Sequence, residues 1–287
     1  MKPAPFRYIA AQSLAHALEV KREHGDDARF LAGGQSLVPA MNFRLAQPAV
    51  LIDLNPLHDL DYVRGTASLS IGALTRHRTI ERDAAIARCA PLLHEAAPHV
   101  AHPQIRNRGT LCGNLAHADP ASEFPAVMLA LGARMRAQSS RGERWIDTKR
   151  FFVDVFTTAL APDEMLVEVE VPALPPRTGA SFLEVARRRG DYALMGVAIL
   201  VTVHDDGRCA EARIALCNAG STPVSADRAA RALIGHRIGP AELLAAAEGA
   251  RGEIDPPANV HATAAFRRHL AGVLVHRALK SAAERAR

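Results

Sequence analysis

The chain has 287 residues, 48% of them hydrophobic and 23% charged, which is the balance of an ordinary soluble globular protein with room for one large domain or two to three small ones. The net charge is +5, but the basic residues are scattered and only 5% of residues are aromatic, which excludes the continuous basic, aromatic-laced stripe of a nucleic-acid binder. No apolar run approaches about 18 residues, so no membrane span is expected, and Met1 to Arg7 has no apolar signal core behind it, which points to the cytoplasm.

Ser13 to His24 reads as a helix with Ser13 as N-cap and Gly25 as its stop. A strand from Ala28 to Leu31 leads into Ala32-Gly33-Gly34-Gln35-Ser36, where consecutive glycines can turn their amides into a concave nest for phosphate. Val50 to Leu54 reads as a buried strand, and Asn55-Pro56 closes a first unit over 1–56.

A second unit is expected over 57–172. It holds strands at Tyr62-Val63 and Leu69–Ala73, then helices over Thr75–Arg88 and Pro91–Ala97. A second glycine-bearing loop follows, Gly109-Thr110-Leu111-Cys112-Gly113-Asn114, ahead of a helix over Ala121–Leu131 that starts with Pro120 and two carboxylates, Asp119 and Glu123. A strand at Met135 comes next, and Asp163–Val171 alternates apolar and acidic residues like an edge-accessible strand.

The proline-rich stretch 173–179 reads as a linker to a last unit over 180–287. Its expected strands are Ser181–Ala186, Val197–His204 and Cys209–Cys217, with Asp205-Asp206-Gly207 turning the last hairpin. Helices follow over Ser225–Leu233, Pro240–Arg251 and Ala262–Ala286, the last with Phe266, Leu270, Val273, Leu274 and Leu279 on its apolar side.

The four cysteines (Cys89, Cys112, Cys209, Cys217) form no CxxC pair, and the thirteen histidines include no HxxxH spacing with a carboxylate, so no metal or iron–sulfur site is expected on this chain. Gly33-Gly34 lacks the spacing of a dinucleotide GxGxxG turn, and no Walker A loop is present. What remains is a pair of short glycine loops in different subdomains that could converge on one pyrophosphate.

Ala32-Gly33-Gly34-Gln35-Ser36 together with Thr110-Leu111-Cys112-Gly113-Asn114 resembles the paired FAD-binding signature of the medium subunit of molybdenum hydroxylases, the carbon monoxide dehydrogenase medium-subunit type within the xanthine dehydrogenase family. The resemblance extends through Arg44-Leu45-Ala46-Gln47-Pro48, Leu51-Ile52-Asp53-Leu54 and Gly190-Asp191-Tyr192-Ala193, and His99 to Glu123 is most similar to members that hydroxylate N-heteroaromatic rings. It implies an α+β fold: a two-subdomain FAD cradle of the PCMH/vanillyl-alcohol-oxidase-like kind, followed by a three-stranded antiparallel sheet with helices.

By the same resemblance, Ala32, Gly33, Gly34, Gln35 and Ser36 with Thr110, Leu111, Cys112, Gly113 and Asn114 would hold the FAD pyrophosphate. Glu123 would stand near the ribityl or ribose hydroxyls, Val100 and Leu166 would line the flavin, and Tyr192 would lie beside the isoalloxazine with Arg187 or Arg188 near the same edge. Cys112 stands where many members have glycine, and Gln35 where many have histidine. FAD would be this chain's only cofactor, with molybdopterin and iron–sulfur clusters on a large and a small partner chain in a dimer of heterotrimers. The flavin would pass electrons to an external acceptor, for a substrate that is an N-heteroaromatic, an aldehyde or carbon monoxide. Two other readings stay open: a stand-alone FAD-dependent oxidoreductase with the same cradle, and a flavin-less assembly protein.

Overall fold

The computed structural model describes residues 2–286; Met1 and Arg287, at the ends of the first and last expected units, lie outside the described residues. At the N-terminus, β1 (Arg7–Ala10), α1 (Leu14–His24), β2 (Ala28–Leu31), α2 (Leu37–Asn42) and β3 (Val50–Asp53) form a small parallel sheet of order β1-β3-β2. Ser13 caps α1 as its sequence predicts, its hydroxyl accepting from the His16 amide. The chain leaves the carboxyl ends of β2 and β3 side by side, which puts the Gly33-Gly34 segment and Asn55 at the same edge of the sheet.

The second unit is built on a five-stranded antiparallel sheet of order β4-β5-β10-β6-β7, from β4 (Val63–Arg64), β5 (Leu69–Gly72), β6 (Arg134–Ser139), β7 (Gly142–Asp147) and β10 (Met165–Val171). A small ladder of β8 (Phe152–Asp154) and β9 (Thr157–Thr158) stands beside it. Between β5 and β6 run the short helices α3 (His77–Arg82), α4 (Ala84–Cys89), α5 (Pro91–Ala96), α6 (Pro103–Arg106), α7 (Leu111–His117) and α8 (Glu123–Leu131), and α9 (Thr148–Phe151) follows β7.

Three expectations need correction here. The single helix over Thr75–Arg88 is two, because Asp83 adopts extended backbone and its carboxylate caps α4 through the amides of Ala85 and Ile86. The strand over Asp163–Val171 is central, not an edge: Arg136 and Arg134 on the neighbouring β6 pair with Glu168 and Glu170, so its acidic residues are neutralised within the sheet. The second glycine segment is not a loop. Residues 111–117 are helix α7, capped by Thr110.

The last unit is a four-stranded antiparallel sheet, β11 (Thr178–Ala186), β12 (Ala193–Val203), β13 (Cys209–Cys217) and a short β14 (Val224–Ser225) that adds to the three expected strands. Its helices are α10 (Asp227–Arg231), α11 (Pro240–Arg251) and α12 (Ala264–Arg285). Period-two alternation gives β12 two apolar faces. Val197, Ile199, Val201 and Val203 meet the helices of this unit, whereas Ala198 and Leu200 join the core of the second unit. On α12 the buried stripe runs through Arg267, Leu270, Ala271, Leu274 and Ala278; Phe266, expected there, is 44% exposed and Val273 is only half-buried. Arg267 reaches inward to donate to the Leu194 carbonyl at 2.6 Å, and that contact sets the helix's rotation.

Candidate functional site

The two glycine segments meet at Gly33, where the backbone of the second segment leaves no room for a side chain. A Cβ on Gly33 would overlap the Arg108 carbonyl and stand 2.7 Å from the Gly109 Cα, and a Cβ on Gly113 would stand 3.9 Å from the Ala32 Cβ. Between them opens a cleft of about 570 Å³, in the size range of a cofactor site.

The first segment presents its amides to this cleft. Gly34 has a φ of 72°, the left-handed geometry that curls successive N–H groups to one side, and the amides of Gly33, Gly34, Gln35 and Ser36 donate to no acceptor among the described residues. Gln35 folds back, its side-chain Nε2 donating to the Gly33 carbonyl at 3.1 Å. Ser36 precedes α2.

The second segment is pinned by the strand-like piece Thr75–His77. The His77 amide donates to the Gly109 carbonyl at 2.9 Å and the Leu111 amide to the Thr75 carbonyl at 3.1 Å. The Thr110 hydroxyl accepts from the Gly113 amide at 3.1 Å, which a Cβ on Gly113 would obstruct. With Asn114 N–H bonded to the Thr110 carbonyl, Cys112 is left with the one unpartnered amide in the turn. Cys112 takes ordinary helical backbone and its buried side chain joins the core, so the missing glycine leaves no strain; burial pushes its thiol pKa up. The Asn114 amide group and the Ser122 hydroxyl lie 2.8 Å apart, tying α7 to the start of α8.

Two buried ionisable groups face the cleft. His77 is held by its Nε2 against the Thr110 carbonyl at 2.9 Å, so Nε2 carries the proton, and burial pulls its pKa down to about 4. Its Nδ1 is buried against the Gly109 backbone and has no partner among the described residues. Glu123, at the start of α8 and 3% exposed, is pushed up to about 8 by burial and by the nearby Glu184 carboxylate. At neutral pH it is largely an uncharged acid that can donate a hydrogen bond.

Of the expected site residues, Ala32, Gly33, Gly34, Gln35, Ser36, Val100, Thr110, Cys112, Gly113, Asn114, Glu123, Leu166 and Tyr192 all line this cleft. Two do not. Leu111 is fully buried in the core behind α7, and Arg187 turns away to His261, Nη1 to Nδ1 at 3.0 Å. Tyr192 stands at the mouth, 58% exposed, on a turn where Gly190 (φ 86°) packs against His102. Sequence reasoning missed His77, Phe156 and Ala101 among the lining residues. Phe156 and Ala101 have left-handed φ of 53° and 49°, for which their residue types give no signal, and His77 lies in what reads as plain helix.

Unpartnered amides and a neutral carboxyl donor around one cleft form a donor set for a diphosphate joined to a polyol. Comparison with known proteins agrees. Residues 4–174 match the family described as FAD binding domain in molybdopterin dehydrogenase, and residues 180–282 match the CO dehydrogenase flavoprotein C-terminal domain. The chain is 45% identical to the 6-hydroxypseudooxynicotine dehydrogenase complex subunit alpha of Paenarthrobacter nicotinovorans, over 100% of this chain and 97% of that one. It is 41% identical to the caffeine dehydrogenase subunit beta of Pseudomonas sp. (strain CBB1), over 99% and 97%. Among solved structures it superposes on quinoline 2-oxidoreductase from Pseudomonas putida 86 with a TM-score of 0.94 and 39% identity, covering 100% of this chain and 99% of that one.

Proposed function

Because the chain belongs to the FAD-binding medium subunits of molybdenum hydroxylases, we propose that the cleft between its two glycine segments holds the FAD pyrophosphate, and that the complex it serves hydroxylates an N-heteroaromatic ring. The convergence of Gly33 and Gly113 on one cleft, with unpartnered amides facing it, carries the first half. The second half rests on the relatives: caffeine, quinoline and 6-hydroxypseudooxynicotine are all nitrogen heteroaromatics.

The bound FAD supplies the redox chemistry, taking electrons from iron–sulfur centres and passing them to an external acceptor. The protein's own part is to grip and shield. The amides of Gly33 to Ser36 and of Cys112 would hold the diphosphate. Glu123 would donate to a ribityl or ribose oxygen, Val100 and Leu166 would give an apolar floor, and Tyr192 would lie beside the ring at the mouth. Arg187, turned toward His261, takes no part.

The partners are a large molybdenum chain and a small iron–sulfur chain, arranged as a dimer of heterotrimers. Among the described residues, no group of three or more His, Cys, Asp or Glu stands together as a metal would require, and no helix is long and apolar enough to cross a membrane; we place the complex in the cytoplasm. The near-complete span of relatives named as subunits of larger enzymes disfavours a stand-alone oxidase, and the intact cradle disfavours a flavin-less assembly protein.

Gly34→Val tests the cradle, because it forces a branched side chain onto left-handed backbone. The purified variant is expected to keep its far-UV circular dichroism and lose flavin absorbance; a full flavin complement would refute the assignment. Turnover of caffeine, quinoline, an aldehyde and carbon monoxide by the intact complex tests the substrate class, and activity confined to the last two would overturn it.

A further inference from the structure

One side chain joins the two glycine segments from behind. Arg76 lies between β5 and α3, and its guanidinium spans two neutral acceptors: Nη1 donates to the Arg108 carbonyl at 2.6 Å and Nη2 to the Asn55 Oδ1 at 2.6 Å. Asn55 completes the relay, donating through Nδ2 to the Ala32 carbonyl at 3.0 Å. The carbonyl that opens the first glycine segment and the one just before the second are thus tied through a single Asn–Arg pair. Asn55 is itself fixed: its amide N–H and Nδ2 donate to Asp53 Oδ1, and the Tyr8 hydroxyl donates to Asp53 Oδ2. The join sits where the Gly33 backbone is in contact with Arg108–Gly109, so small changes in its length move one segment against the other.

Among the described residues Arg76 forms no direct ion pair; Arg108 lies close enough to repel it, and Asp61 and Asp53 lie close enough to offset part of that repulsion. No carboxylate contacts its guanidinium directly, so the part of its charge that Asp61 and Asp53 do not offset is a favourable background for an anionic diphosphate. Neither Arg76 nor Asn55 lines the cleft.

We propose that Arg76 is a positioning residue that sets the spacing of the two diphosphate-gripping segments, so that FAD affinity depends on a side chain outside the cleft. This rests on the reading that the cleft holds the FAD pyrophosphate. Lysine cannot replace it, because an ammonium lacks the planar fork that reaches two carbonyl-type acceptors at once.

The test uses the full-length chain, deflavinated, titrated with FAD, ADP and riboflavin, in the wild type and in Arg76→Met, Arg76→Lys and Asn55→Ala. Loss of a charge-assisted pair of hydrogen bonds is expected to weaken FAD and ADP by about tenfold to a hundredfold in all three variants. Riboflavin, which has no diphosphate, should bind as in the wild type, and Tm should move little. The double variant Arg76→Met/Asn55→Ala should be no weaker than the worse single one, because both break one relay. Unchanged FAD and ADP affinity, rescue by lysine, or an equal loss for riboflavin would each overturn the proposal. If ADP fails to compete with FAD in the wild type, the reading of the cleft fails, and the proposal with it.

Discussion

Glu123 shows how one buried carboxyl sets a pH dependence. Its pKa is raised to about 8 from the ordinary 4.5, burial being the larger cause and Glu184 and Asp119 the charges facing it. The folded state therefore favours the protonated acid, so this stabilisation is complete below about 4.5 and is lost as pH rises through about 8. The denaturation midpoint of the deflavinated chain should fall over that window, and Glu123→Gln should flatten the fall; an unchanged slope in the variant would refute the raised pKa. His77 has the opposite sign. Its pKa is lowered to about 4 in the fold, so its contribution is present above about 6.5 and lost as acid protonates it. The cysteines offer a simpler check. Cys112, Cys209 and Cys217 are buried and burial pushes their thiols up, whereas Cys89 is partly open, donating to the Thr66 carbonyl. A thiol reagent should label Cys89 rapidly and the others only on unfolding.

At the scale of elements, α7 separates what was legible from what was not. Gly109, Gly113 and the polar residues between them mark where backbone must come close, and those positions were readable from residue type alone. That the segment is helical was not readable, because Gly113 within it depresses helix propensity and Gly109 just before it reads as a turn. The helix exists because Thr110 caps it, a local contact, and because Thr75–His77 holds its start, a tertiary one. The same limit explains β7, whose exposed, polar Gly142–Asp147 shows no alternation, and β10, whose acidic residues look solvated until Arg134 and Arg136 are seen beside them. On α12 the apolar side was misjudged because an arginine, Arg267, lies in the buried stripe and a phenylalanine beside it does not. The capping argument has its own consequence. Thr110→Ala removes the acceptor of the Gly113 amide and should destabilise the chain by about 1 kcal/mol. It should also lower flavin retention, since the α7 start is half of the grip; a variant with normal stability and normal flavin content would show that the cap is dispensable.

At the scale of the molecule, the last unit is bound to the rest by shared core rather than by a linker alone. Its sheet lies between two layers: α12 and α10 cover one face with α11 packed on them, and the other lends Ala180, Phe182, Ala198 and Leu200 to the core that contains Phe124, Leu92 and Leu93. Gly179 lets β11 run against the carboxyl end of α12, where a Cβ would stand 2.7 Å from the Ala286 amide nitrogen. Arg285 then reaches from α12 to the Ala180 carbonyl at 2.6 Å and to Glu95 of the second unit at 2.7 Å. Pulling residues 180–286 away would expose both faces of the joint, so the units should unfold together. Trp145, the sequence's single tryptophan, sits on β7 in the second unit and reports that region's unfolding by fluorescence. Phe182, on β11, is 1% exposed and packs edge-on against His99 with ring centroids 5.3 Å apart. Phe182→Ala should cost about 3–5 kcal/mol, as large-to-small changes in a tight core do. The loss should appear equally in Trp145 fluorescence and in far-UV circular dichroism, as one shifted transition. If the Trp145 transition stays in place while the circular dichroism splits in two, the last unit unfolds on its own and the shared core does not couple them.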